Sequence, residues 1–322
     1  MQDHSQMFAT PLDGQSWLDW VQSTTDIIGE NGSVEHLGPR HAALFLKKKP
    51  QTLLVSFEAH HRIEDVSDTA HPLGWQMANA LGWSHLCLAS ETDTWFRDNR
   101  VYAYFDRLID EGFFDAYEQV VFYGAGACGY AACAFSVAAP GARVLALCPQ
   151  ATLDPRVSEW DDRFLSMRRV AFDDRYGYAP DMLDGAEHAF VLYDPEVELD
   201  AMHAALFTRP NVTKYRMRHQ GPRIDSALVQ MNILMRMLAQ LSVGKLNTLS
   251  LSRLYRARRD YASYQFNLLK CTTRDDRHHL TKLLAEVVLS KRNSPPFHKA
   301  LARAKNSLAA QASLQAEAAD RG

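Results

Sequence analysis

QVVFYGAGACGYAACA, residues 119 to 134, decides the fold of this chain. An apolar, β-branched run (Val120, Val121, Phe122, Tyr123) stops at Gly124, Gly126 and Gly129 and passes into small helix-forming residues that lead to Ala138. The pattern predicts strand, tight turn, helix. Two chemistries are built on that unit. In a G-x-G-x-x-G loop, backbone N–H groups at a helix N-terminus face a pyrophosphate. In a nucleophile elbow, small residues on either side allow a sharp turn that lifts one side chain above the sheet. The letters fit both, so the flanking chain has to decide.

Outward from this unit, strands and helices alternate. Before it stand the strand-like runs AALFL (42–46) and TLLVSFE (52–58), then HLCLAS (85–90). The short polar link from Lys47 to Pro50 predicts that the first two form an antiparallel hairpin. LGWQMANALGW predicts a helix ending at Gly82, and apolar residues from Val101 to Phe113 recur three and four apart, as on a helix packed against a sheet. After it come ARVLALC (142–148), HAFVLY (188–193) and NVTKYRM (211–217), with a helix near 199–207 and a core helix near 224–241. Such alternation predicts an α/β fold, a mostly parallel sheet of seven to eight strands with helices on both faces.

The remaining segments have different textures. Residues 1–40 are polar and mixed, expected as an N-terminal cover, followed by the main domain over 41–243. Residues 150–185 are polar and strand-free, which marks a cap or a long crossover. From 245 to 307 the pattern is helical, with fourteen Lys or Arg against four acids, so 244–308 reads as a basic helical extension. The Ala/Gln-rich end, 309–322, is expected to be disordered.

Composition bounds the function classes. The chain has 322 residues, 47% of them hydrophobic, and a net charge of −3, so nothing global directs it to nucleic acid or a membrane surface. Its start, MQDHSQMFATPLDG, has acids where a secretory signal has basic residues and lacks an apolar stretch, and no run is long enough to span a membrane. A cytoplasmic protein is expected. The five cysteines form no C-x-x-C pair, so buried thiols are expected rather than disulfides, and neither a metal nor a cofactor is read from the sequence.

A dinucleotide site needs an acid about twenty positions after the glycines to hold the ribose hydroxyls. Here the next strand ends in Cys148, Pro149 and Gln150, and the nearest acid, Asp154, lies well beyond it. An elbow needs instead an acid and a histidine later in the chain, in that order. YDPEVELD, with Asp194 and Asp200, follows the penultimate strand, and RHQG, with His219, follows the last.

Residues 42 to 242 thus resemble the α/β-hydrolase superfamily. FYGAGACGYAA is similar to the FYGSSMGGYAA elbow of bacterial members associated with envelope or polysaccharide systems, and ALCPQATLDP and YDPEVELDAMHA are similar to the same group. The resemblance implies that Gly126 stands at the nucleophile position, where the group has serine. It implies that His219 stands at the histidine position, and Asp200, or else Asp194, at the acid position. Each has a plainer reading: His219 as a surface histidine, Asp194 as a strand end, Asp200 as a helix cap. Cys128 is the alternative nucleophile. His60 and His61 follow the strand where this fold places oxyanion donors, and with Ala127 and Gln150 they complete the ligand-binding candidates.

The leading expectation is an α/β-hydrolase-fold pseudoenzyme that binds or scaffolds, in envelope or polysaccharide metabolism. The alternatives are an active hydrolase or acyl transferase using Cys128 or a His-activated water, and a nucleotide or phosphometabolite binder at the glycine turn. The ligand classes implied are a glycan, an acyl group or another small molecule, with an acidic partner for the basic helices.

Overall fold

The computed structural model describes residues 10–319, with side chains to 315. Residues 1–9, which hold most of the stretch read above for a signal peptide, and residues 320–322 of the tail lie outside the described residues. The chain forms two compact units. The first comprises residues 10–218 with Pro222–Leu254, and the second comprises His219–Gly221 with the residues from Tyr255 on. Gly244, where the sequence changes texture, lies inside the first unit.

The first unit is built on one eight-stranded sheet: β1 (Gly32–His36), β2 (His41–Leu46), β3 (Lys49–Ala59), β4 (Trp83–Ser90), β5 (Gln119–Ala125), β6 (Arg143–Leu147), β7 (His188–Tyr193) and β8 (Val212–Arg216). Their spatial order is β1-β2-β4-β3-β5-β6-β7-β8. β2 runs antiparallel to both its neighbours, and the other pairs are parallel. An eight-stranded, mostly parallel sheet with the glycine turn leaving β5 is an α/β-hydrolase-like fold. The expected hairpin of β2 with β3 is not formed. β2 pairs with β1 and β4, placing Leu44 opposite Cys87, while β3 inserts between β4 and β5. Nearly every residue of β2, β3 and β4 is buried, and burial on both faces favours interior strands over a two-stranded ribbon.

Sequence chemistry explains the helices that hold the site. Ser16 caps the helix Trp17–Ile28, whose Trp20 and Val21 join Leu44 and Cys87 in one apolar cluster. Asp98 caps Asn99–Asp110, which buries Val101, Tyr104, Phe105 and Leu108 and ends before the predicted Phe113. Phe105 stacks on Phe135 of the elbow helix at 4.5 Å and on Phe57 of β3 at 6.1 Å. Each fully buried aromatic contributes about 1.5–3 kcal/mol relative to exposure. All nine residues of the elbow helix, Ala127–Phe135, are buried, which is why small residues rather than an amphipathic pattern fill it. The expected core helix over 224–241 is two helices, Ile224–Gln230 and Leu234–Ser242, interrupted at Asn232, whose φ is +56°.

The second unit is helical: Ala262–Arg274, His278–Lys291 and Pro295–Ala319, around Leu269, Ala285, Val288 and Phe297. The last helix runs through Ala319, across part of the 309–322 stretch expected to be disordered. Its Ala/Gln-rich sequence lacks apolar anchors but has high helix propensity. No helix among the described residues is long and apolar enough to cross a membrane.

Candidate functional site

The turn between β5 and its helix, expected as an elbow, is sharp. Gly126 sits at its apex with φ +59° and ψ −122°, a conformation that L side chains rarely adopt. Its N–H donates to Leu147 O at 2.8 Å, and its carbonyl accepts the Tyr130 N–H at 2.9 Å. The flanking positions must be small. A Cβ on Gly124 would meet the Cys128 carbonyl oxygen at 2.1 Å, and one on Gly129 would stand 3.1 Å from Leu147 O. A Cβ on Gly126, by contrast, would meet only Arg62 Nη1, at 3.4 Å.

Above the apex is a cavity of about 180 Å³. It brings together four of the expected residues: Gly126, Ala127, Gln150 and Asp200. Gln150 is held by accepting from Trp95 Nε1 at 3.1 Å and donating to Cys148 O at 3.3 Å. Arg62, Asp93, Arg163, Arg223 and Asp225 complete the charged lining. Arg62 Nη2 reaches Asp225 Oδ2 at 3.3 Å. Burial disfavours the Arg62 charge, but Asp225 and Asp93 outweigh it and raise the pKa.

Asp200 lies inside the helix Glu198–Leu206 rather than at its cap, and its Oδ1 accepts from Arg163 Nη1 at 2.6 Å. Arg163 also donates to Asp161, which in turn accepts from His203 Nε2 at 2.9 Å. The side chains of Asp161 and His203 are fully buried. His203 Nδ1 accepts the Ala151 N–H, so Nε2 carries the proton it donates. This network ties the 150–185 segment to the helix that follows β7. Burial pushes the Asp161 carboxyl up, but the bonds from His203 and Arg163 outweigh it and hold the pKa well below the usual carboxylate range.

The other candidates have different surroundings. Asp194 is buried at the end of β7, and its Oδ1 accepts from Glu196 N at 2.9 Å. His219 belongs to the second unit with φ +64°, its Nδ1 3.5 Å from Cys271 Sγ and its carbonyl accepting from Asn267 Nδ2 at 3.0 Å. His60 packs its ring against Trp17 and Trp20, and burial lowers its pKa. His61 Nε2 lies 3.7 Å from Asp93 Oδ2.

Cys128 occupies the second residue of the elbow helix and lines a neighbouring cavity of about 40 Å³. Burial, and after it Asp93, push its thiol well above the ordinary value. A thiol so placed is a poor nucleophile at neutral pH. Iodoacetamide at pH 7.5 is expected to leave Cys128 unmodified in the native protein and to modify at most Cys271, the one cysteine that is partly exposed. Peptide mass mapping checks this, and rapid modification of Cys128 would restore it as a nucleophile.

Arg62, Trp95, Asp161, Arg163, His203 and Asp225 were not singled out by sequence reasoning. DDRFLSMRR, which holds Arg163, lies in the segment read as a cap or long crossover, and His203 lies in YDPEVELDAMHA, but neither run marks which of its residues turn inward.

No family model matches the chain, and the search of curated proteins found no match. Among solved structures, MPT51 (FbpC1) of Mycobacterium tuberculosis is similar at 16% identity, covering 68% of this chain and 98% of that one, with a TM-score of 0.42. Est1E from Butyrivibrio proteoclasticus is similar at 9% identity, covering 67% and 99%, with a TM-score of 0.42. The capsule O-acetyltransferase of Neisseria meningitidis serogroup A is similar at 13% identity, covering 61% and 91%, with a TM-score of 0.37.

Proposed function

We propose that the protein is a catalytically impaired, α/β-hydrolase-fold binding protein that holds a small polar ligand, glycan- or acyl-bearing, above its elbow. The observation that carries this reading is the apex itself. Gly126 keeps the turn yet offers no attacking atom, and the nearest group to its missing side chain is the Arg62 guanidinium. Ala127, the first residue of the elbow helix, has a backbone N–H without an intrahelical partner to offer the ligand. Arg62, Gln150 and Asp225 supply further fixed donors and acceptors around about 180 Å³. The likeness of FYGAGACGYAA to bacterial envelope-associated elbows supports a role in cytoplasmic steps of envelope or polysaccharide metabolism, and an acidic partner suits the basic helices of the second unit.

A thermal-shift screen with monosaccharides, acyl esters, NAD and ATP tests the binding reading. A ligand at about 100 times its Kd stabilises the folded state by about 2.7 kcal/mol, a shift of several degrees at about 2–4 °C per kcal/mol for a domain of this size. Arg62→Ala is expected to abolish the shift. Stabilisation by NAD or ATP alone would favour the nucleotide alternative, and a shift unaltered in Arg62→Ala would place the ligand elsewhere.

A further inference from the structure

A cluster of buried titratable groups lies apart from the lining of the elbow cavity. Ser56 and Glu58 alternate on β3, and His85 and Cys87 alternate on β4, with Ser56 directly opposite Cys87. All four project from one side of the sheet and are buried. Ser56 Oγ donates to Glu58 Oε1 at 2.6 Å and lies 2.8 Å from His85 Nε2. Leu73 N–H donates to both Glu58 oxygens at 3.1 Å.

Three observations are unusual together. One donor atom each from Glu58, His85 and Cys87 lies within 4.8 Å of the others. The hydrogen bonds to the buried Glu58 come from Ser56, the Leu73 N–H and Cys87, all of them neutral, and burial favours the uncharged acid over a bare carboxylate. His85 Nδ1 is buried with no hydrogen-bond partner.

We propose that Glu58, His85 and Cys87 bind a zinc ion between β3 and β4. Thiolate, imidazole and carboxylate are the donors zinc takes, and three protein ligands with an open position form a familiar set. Tetrahedral zinc separates its ligand atoms by roughly 3.3–3.8 Å, so a side-chain adjustment of about 1 Å assembles the site. Glu58 also lines the cavity of about 40 Å³ that it shares with Leu73, Tyr123 and Cys128, which has room for a water as fourth ligand. Gly74 shapes the wall. A Cβ there would come within 2.2 Å of the His85 ring, so only glycine lets the helix Gly74–Leu81 begin against the imidazole. Zinc binding displaces the Cys87 thiol proton and any proton on Glu58, leaving two anionic ligands to neutralise the 2+ charge. The spacing rules for cysteine pairs pass over such a site, because its donors come from adjacent strands two residues apart.

The test uses the full chain, expressed with added zinc and purified without chelator. Elemental analysis is expected to find about one zinc per chain. Cobalt(II) in place of zinc is expected to give a thiolate-to-cobalt charge-transfer band in the unaltered protein, which therefore does not depend on any variant folding. Cys87→Ser should lose that band, and Glu58→Gln, which removes an anionic ligand, should bind the metal more weakly. Less than about 0.1 metal per chain after reconstitution, or a charge-transfer band that survives Cys87→Ser, overturns the site. Either result would leave a neutral hydrogen-bonded cluster and would not touch the reading of the elbow.

Discussion

Asp161→Ala is expected to destabilise the first unit by about 3–5 kcal/mol, the range for removing one partner of a buried charged pair. The aspartate accepts from the Arg163 backbone N–H at 3.0 Å, from its guanidinium, and from His203 Nε2 at 2.9 Å. Its loss leaves the His203 N–H buried without an acceptor and leaves Arg163 paired with Asp200. Urea unfolding followed by circular dichroism measures the effect, and a change under about 0.5 kcal/mol, typical of surface substitutions, would contradict it. The pH dependence has a fixed sign. Because the folded pKa of Asp161 is depressed, its contribution is fully present above the unfolded value of about 3.9 and is lost as pH falls below it. The variant should therefore lose less stability than the parent between pH 5 and lower pH.

The network also affects the site. Arg163 and Asp200 both line the elbow cavity, and Arg163 is the link between Asp161 and Asp200. Loosening it should weaken any ligand that uses that wall. Asp200 stands at the acid position implied by the family resemblance, and its carboxylate is engaged by Arg163. The arginine holds the carboxylate in place.

Much of the fold was legible because local signals and global packing agreed. The β5 strand, its glycine turn and its small-residue helix each have one reading at the level of sequence, and the structure uses all of them. β1 was too short and polar to be marked as a strand, and only its pairing with β2 defines it. The β2–β3 hairpin failed for a related reason. A short link predicts pairing only when no third strand competes, and β4 is buried along its whole length. Gly126, Ala127 and Gln150 line one cavity because each flanks a strand end. Asp161 and His203 went unmarked, because a buried ion pair has no sequence signature. Each partner reads as polar surface until the other is known to face it.

The second large effect concerns catalysis. A hydrolase with a typical turnover of about 10 per second that lacks its nucleophile loses about 2 × 10⁶ in rate, leaving about 10⁻⁵ per second from oxyanion donors and binding. The purified protein is therefore expected to hydrolyse short p-nitrophenyl esters no faster than about that rate. A fluorophosphonate probe should leave it unlabelled. Gly126→Ser is a useful companion because a Cβ at the apex meets only Arg62 Nη1, at 3.4 Å, with a backbone cost of about 1–3 kcal/mol for the strained conformation. Ester turnover by the unaltered protein is the measurement that bears most directly on the elbow without a nucleophile. Turnover indistinguishable from buffer is the predicted result, and a rate of about 1 per second would contradict it.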